Sequence, residues 1–241
     1  MMAAVSAEQL ALPGRLQPTD LVLQPGQVTC LVGPNGSGKS SLLHGLAGIG
    51  RRAGRVTIDG VEIERQSPAL RAALLSYLPA SREIAWPLAG RDLIALGLPD
   101  VPPTKRLDEL IAFFELEALL DRRVDRLSTG ERSRLLLARS LAAGARLLLL
   151  DEPTANLDPL WQLRLLEHLR RLARDAGGTQ LLAMHDLDLA GRFADRLLIM
   201  QEGRVVADGS PAELLASDWI GRVFGIEKSD GGWMPAKPGR N

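Results

Sequence analysis

The residues GPNGSGKS at positions 33–40 carry the densest chemistry in the chain. Gly33, Pro34, Asn35, Gly36, Ser37, Gly38, Lys39 and Ser40 fit the pattern G-x-x-x-x-G-K-[ST], and Ser41 follows directly. The glycines let the backbone curl so that successive N–H groups point inward. The start of the helix that follows adds its positive end, and together they form an anion cradle. Lys39 supplies a point charge for the outer phosphates of a nucleotide, and the Ser40 hydroxyl can ligate Mg²⁺. A second group follows in LLLLDEP, residues 147–153. An apolar strand ending in an acid sets Asp151 at the carboxyl edge of a sheet, where open α/β folds bind ligands. Asp151 suits the Mg²⁺ shell, and Glu152 can polarise an attacking water. His185 closes the apolar run TQLLAMH. A histidine at a strand end is ordinarily a turn residue. Beside the strand carrying Asp151 it can reach a γ-phosphate. His44 and His168 fall within helical patterns and need no special role.

A third group is LSTGERSR, starting at Leu127. Ser128 and Glu131 have the spacing of a capping box at a helix start. A cap has no need of Gly130, and glycine adds backbone freedom that folding must remove. Its presence points to something that approaches the helix end too closely for a side chain.

These groups need elements that hold them. QVTCLV (27–32), GRVTIDG (54–60), LLSYL (74–78), RLLLLD (146–151) and TQLLAMH (179–185) read as strands. KSSLLHGLAGI reads as the helix after the first of them. DRLLIMQEGRVVADG reads as a hairpin turning at Glu202-Gly203. Strands alternating with helices argue for an α/β domain with a mainly parallel sheet. Between about 80 and 143 the spacing is helical, so a helical insertion interrupts the α/β pattern, with Pro99, Pro102 and Pro103 marking an irregular link. The end, about 227–241, is rich in Gly, Pro and polar residues and is expected to be loose.

With 241 residues the chain is long enough for one domain with a sizeable core. Apolar residues make up 46% and aromatics 4%, so the core is mainly aliphatic. Lys plus Arg and Asp plus Glu number 29 each, which gives no bulk attraction to nucleic acid. The one cysteine, Cys30, excludes an intrachain disulfide and reads as a buried strand residue. No apolar run is long enough for a membrane span and the start does not read as a signal peptide, so a soluble, cytoplasmic chain is expected.

In order and spacing these motifs resemble the ATP-binding subunit of ABC transporters. LSTGE stands where that family has LSGGQ or LSGGE, Walker A is 33–40, Walker B is 147–152, ANLD at 155–158 is the D-loop, and His185 is the switch histidine. The resemblance covers nearly the whole chain. It implies a P-loop NTPase fold of the ABC type: α/β, with a mainly parallel sheet, an antiparallel β portion and a helical insertion in a single domain. It also implies ATP hydrolysis with Mg²⁺ in a head-to-tail dimer of two copies. Glu152, His185 and Lys39 then carry catalysis. Ser128, Gly130 and Asp158 serve the nucleotide, the signature helix pressing against the γ-phosphate bound by the other copy, which answers the question of Gly130.

The chain departs from the family at three places. Thr129 replaces the commoner glycine. Ala80, in YLPAS, stands at the Q-loop glutamine and cannot ligate Mg²⁺ or hold water, leaving Ser81 or water to substitute. No aromatic precedes Tyr77, so base recognition falls to residues such as Leu12, Pro13 or Arg15. The intact Glu152 and His185 favour a working ATPase. Transport then requires separate integral-membrane permease subunits and, indirectly, a substrate-binding protein, with this chain peripheral on the cytoplasmic side of the inner membrane. Ile84, Trp86 and Leu88 can dock on the permease or simply pack in the core. RDLIALG and the ADGSPAELL…IGRVFGI pattern are similar to importers of metal chelates (iron-siderophore, haem, vitamin B12). The short N-terminus and LLHGLAGIGRRAGRVTIDG look most like the vitamin B12 importers. The rival readings are a soluble ABC protein of translation or DNA repair, and a regulatory module that closes without hydrolysis.

Overall fold

The computed structural model describes residues 5–84, 86–98, 104–229 and 232–236. The chain opens with an antiparallel pair, β1 (Val5–Leu12) and β2 (Leu16–Leu23). β3 (Val28–Val32) leads through the glycine-rich loop into α1 (Lys39–Leu46). β4 (Ala53–Ile58) and the short β5 (Val61–Glu62) return to the first pair, completing a four-stranded antiparallel sheet in the order β2-β1-β4-β5. Ser67 caps α2 (Pro68–Leu74), with Pro68 at the first turn, where its missing N–H costs nothing. α2 delivers β6 (Leu75–Leu78).

The regular elements described between β6 and the next strand are all helical: α3 (Gly90–Ala95), α4 (Thr104–Phe114), α5 (Thr129–Ala142) and single 3₁₀ turns. α5 packs against both α3 and α4. Then come β7 (Leu147–Asp151), α6 (Pro159–Ala176), β8 (Thr179–Ala183), α7 (Leu187–Phe193), and the hairpin of β9 (Arg196–Gln201) and β10 (Arg204–Gly209). Glu202 and Gly203 at its turn both have positive φ, as a tight two-residue connection requires. α8 (Pro211–Leu215) and α9 (Asp218–Phe224) precede a small hairpin, β11 (Ile226–Ser229) with β12 (Gly232–Pro235). That hairpin stands within the segment expected to be loose.

The main sheet has the order β10-β9-β3-β8-β7-β6. β3, β6, β7, β8 and β9 run parallel, and β10 is the antiparallel edge. β3, β7 and β8 are buried at every position, as expected when both faces are covered. The two faces feed two cores. Leu148, Leu150, Leu182 and Ile199 pack with the helices of the insertion and with α6 and α7. Leu147, Leu149, Leu181 and Leu198 pack with α1 and the antiparallel sheet. The period-two alternation thus joins the two layers.

Registration sets the site. Asp151 pairs with Ala183, and Ala183 with Leu31. The starts of the glycine-rich loop, of the Asp151-Glu152 turn and of the Met184-His185 segment therefore share one edge of the sheet. That edge is the carboxyl end of parallel strands, where the helix N-termini also point.

Candidate functional site

The glycine-rich loop is shaped by what crowds it. A Cβ at Gly33 would lie 2.4 Å from the Met200 carbonyl oxygen and 2.5 Å from Ser37 Oγ. Gly38 has φ +103°, and a Cβ there would meet Gly203 Cα at 3.0 Å and the Arg15 carbonyl at 3.2 Å. The hairpin turn braces the loop directly, Gly203 N donating to Ser37 O at 2.8 Å. Gln17 N donates in turn to Gly203 O at 2.9 Å, so the antiparallel sheet, the hairpin and the loop form one hydrogen-bonded chain.

A cleft of about 710 Å³ opens over this loop. Asn35, Gly36, Ser37, Gly38, Lys39, Ser40 and Ser41 line it, with Glu152 and His185 on one side and Arg15, Leu16 and Gln17 on another. Of the expected base contacts, Arg15 is there, while Leu12 is spent on the core. Lys39 is only 6% exposed, and its Nζ donates to Gly33 O at 2.7 Å and Pro34 O at 3.3 Å. Burial pushes its pKa down, and the carboxylates of Glu152 and Asp151 oppose that shift.

Asp151 is 1% exposed, and its Oδ1 has no partner among the described residues. Burial holds its carboxyl above the usual carboxylate range, opposed first by the Ser40 hydroxyl beside it. A desolvated carboxylate oxygen beside a hydroxyl fits a hard cation that takes its other ligands from phosphate and water. Among the described residues no cluster of three His, Cys, Asp or Glu could hold a metal unaided. Mg²⁺ held by Ser40 and Asp151 is therefore compatible with the donors present.

Glu152 sits at φ +51°, a left-handed backbone that is rare for a residue with a side chain. Its Oε1 accepts from His185 Nε2 at 2.7 Å. The strand carrying His185 is the immediate neighbour of the one carrying Asp151, as the sequence pattern implies.

The signature helix is capped as its spacing predicts. Ser128 Oγ accepts from Glu131 N at 3.2 Å, and the Glu131 carboxylate accepts from Ser128 N at 2.8 Å and from Ser128 Oγ at 2.9 Å. Asp158 caps α6 through Trp161 N at 3.0 Å. Gly130 lies against the D-loop, where a Cβ would meet the Asn156 carbonyl at 3.3 Å. Ser128, Gly130 and Asp158 line no part of this chain's own cleft. They cluster around the start of α5 and the turn before α6.

One feature escapes the sequence pattern. Arg82, two residues past Ala80, is buried, and its Nη2 donates to the carbonyls of Asp151 at 3.1 Å and Glu152 at 2.9 Å. A single arginine in a loop gives no sequence signal. Ser81, by contrast, is exposed, its Oγ accepts from Glu83 N at 3.3 Å, and it does not line the cleft. Of the expected docking residues only Trp86 projects, at 69% exposure. Ile84 and Leu88 are half-buried, Ile84 against the core.

The ABC transporter family matches residues 16–155. The hemin import ATP-binding protein HmuV of Myxococcus xanthus is 39% identical, over 93% of this chain and 89% of that protein. Its counterpart in Agrobacterium fabrum is 35% identical, over 98% and 95%. Among solved structures, an ATP-binding subunit of an ABC transporter superposes with TM-score 0.78 at 26% identity, over 93% of this chain and 94% of that one. The cbiO1 protein of Clostridium perfringens, part of the ABC transporter complex cbiONQ, gives 0.73 at 26% identity, over 92% and 94%. No helix among the described residues is long and apolar enough to cross a membrane.

Proposed function

The chain belongs to the ABC transporter family, and from that premise we propose that it is the ATP-hydrolysing subunit of a haem importer. It works as a head-to-tail dimer on permease subunits at the cytoplasmic face of the inner membrane, served indirectly by a substrate-binding protein. The observation that carries hydrolysis is the pair Glu152–His185, 2.7 Å apart at the side of the phosphate cleft. The loop N–H groups and Lys39 bind the β- and γ-phosphates. Glu152 accepts the proton of a water attacking the γ-phosphorus, the bond to the bridging oxygen breaks, and His185 holds the carboxylate in line. Ser40 and Asp151 would hold Mg²⁺, which would supply charge neutralisation for the phosphates. Dimerisation is supported by the absence of Ser128, Gly130 and Asp158 from the lining of their own chain's cleft. The opposing copy presents them to the nucleotide instead. The exposed Trp86 suits a docking contact with the permease.

Haem as cargo rests on the similar proteins, which are named for hemin import. Cobalamin, the favourite on resemblance alone, gains no support from them. The test has two parts. Phosphate release from Mg-ATP is expected to fall at least about hundredfold in Glu152→Gln while nucleotide binding persists. Vesicles carrying this chain with its permease are expected to take up haem and not cobalamin. Hydrolysis unaffected by Glu152→Gln would overturn the mechanism, and uptake of cobalamin alone would overturn the cargo.

A further inference from the structure

Arg82 is 5% exposed although its neighbours Ser81 and Glu83 are on the surface. A guanidinium withdrawn from water needs acceptors. Among the described residues Arg82 makes no salt bridge, and its Nε and Nη1 have no partner. One nitrogen, Nη2, takes both of its acceptors, the main-chain carbonyls of Asp151 and Glu152. An arginine buried only to build an ion-pair network would look different.

The choice of acceptors has a geometric meaning. The carbonyl carbons of residues 151 and 152 are the two ends of the torsion φ at Glu152. That torsion is +51°, a left-handed conformation that is strained for a residue with a side chain. A donor bridging the two carbonyl oxygens at 3.1 and 2.9 Å closes a ring around the torsion and holds it. The torsion sets the direction of Cα–Cβ, and so where the carboxylate lies relative to His185. Glu152 N donates to Ala183 O at 3.0 Å and Ala155 N to Glu152 O at 3.0 Å. These bonds anchor the turn, but neither spans both carbonyls.

We propose that Arg82 is a positioning residue for Glu152, clamping the strained turn that aims its carboxylate into the cleft. It does not line the cleft, and acts through the backbone. The proposal rests on hydrolysis through Glu152.

The experiment compares wild type, Arg82→Ala and Arg82→Lys in steady-state Mg-ATP hydrolysis, with thermal melting alongside. Arg82→Ala is expected to lower kcat about 10–100-fold, because a misaimed catalytic group costs that much. KM and the affinity for a fluorescent ATP analogue should stay within about twofold, since the cradle is untouched. Lysine, which can still donate to a carbonyl, and millimolar guanidinium added to the alanine variant should each restore part of kcat. In a Glu152→Gln background Arg82→Ala should have no further effect, because the aimed group is already gone. Unchanged kcat in Arg82→Ala overturns the proposal. So does a loss of kcat and affinity together with a lowered melting temperature and no rescue. Should the wild type itself fail to hydrolyse ATP, the mechanism above falls. The clamp is then read from amide exchange at Glu152 and residues 154–156, faster in Arg82→Ala if it exists and unchanged if it does not.

Discussion

At the scale of single residues, two glycines of the same loop answer to different physics. Gly33 has no room: a methyl there would press against a main-chain carbonyl 2.4 Å away, in a strand that cannot retreat. Gly36 has room but a positive φ of 78°, with nothing within 4 Å of its missing Cβ. Gly33→Ala should therefore distort the cradle and weaken ATP binding by more than about tenfold, since the donors must hold their geometry to within about half an ångström. Gly36→Ala should carry only the strain of the left-handed backbone, about 1 kcal/mol. Titration with a fluorescent ATP analogue, beside thermal melts, separates the two. Equal losses at both positions would mean that backbone freedom, and not the Met200 carbonyl, decides Gly33.

At the scale of elements, the site was more legible than the scaffold under it. The glycine-rich loop, the Asp151-Glu152 strand end and the capped Ser128 helix each have local causes, a turn, a period or a cap spacing, so the sequence displays them. β1 and β2 were not legible. Their outward positions mix polar residues with Ala11, Pro18 and the exposed Val22, Gln9 interrupts β1 with φ +48°, and register shifts break the pairing. In retrospect Leu10, Leu12, Leu16, Leu21 and Leu23 around the Pro13-Gly14 turn were the signal. Nor could the brace of Gly203 on Ser37, or the reach of Arg82 to Asp151, be read, since each joins parts of the chain far apart in sequence.

The contact between α4 and α6 brings a pH dependence of the same hidden kind. His168 stacks on Phe113 at 4.1 Å, and its Nε2 is buried without a partner among the described residues. Burial, then the charge of Arg171, pushes its pKa from 6.5 down to about 4. Below about pH 6.5 the unfolded chain takes up a proton that the folded chain refuses until about pH 4, so stability falls as pH falls across that window. His168→Phe keeps the stack and removes the proton. Its melting temperature should match or exceed that of the wild type at pH 7, and should drop less between pH 7 and 5. A slope identical to wild type would assign the acid sensitivity to other groups.

At the scale of the whole molecule, the two groups proposed to serve the nucleotide lie on one chain and do not share its cleft. The phosphate cradle with Glu152 and His185 lines the cleft, while Ser128, Gly130 and Asp158 stand elsewhere. In the proposed two-fold dimer each group would face the other copy's complement, because an isologous interface repeats every contact twice. Mixing variants makes this testable without any structure of the dimer. Lys39→Ala disables the cradle, and Gly130→Asp sets a carboxylate against the incoming phosphate, so either variant alone should be inactive. In a mixed dimer one site combines both defects. The other combines the intact cradle of the Gly130→Asp chain with the intact helix of the Lys39→Ala chain. If the two sites fire independently, an equal mixture holds half its dimers in the mixed form, each with one working site, and should recover about a quarter of wild-type turnover. Sites completed within one chain would recover nothing on mixing. Recovery of activity is therefore the outcome that only a shared, head-to-tail site can produce.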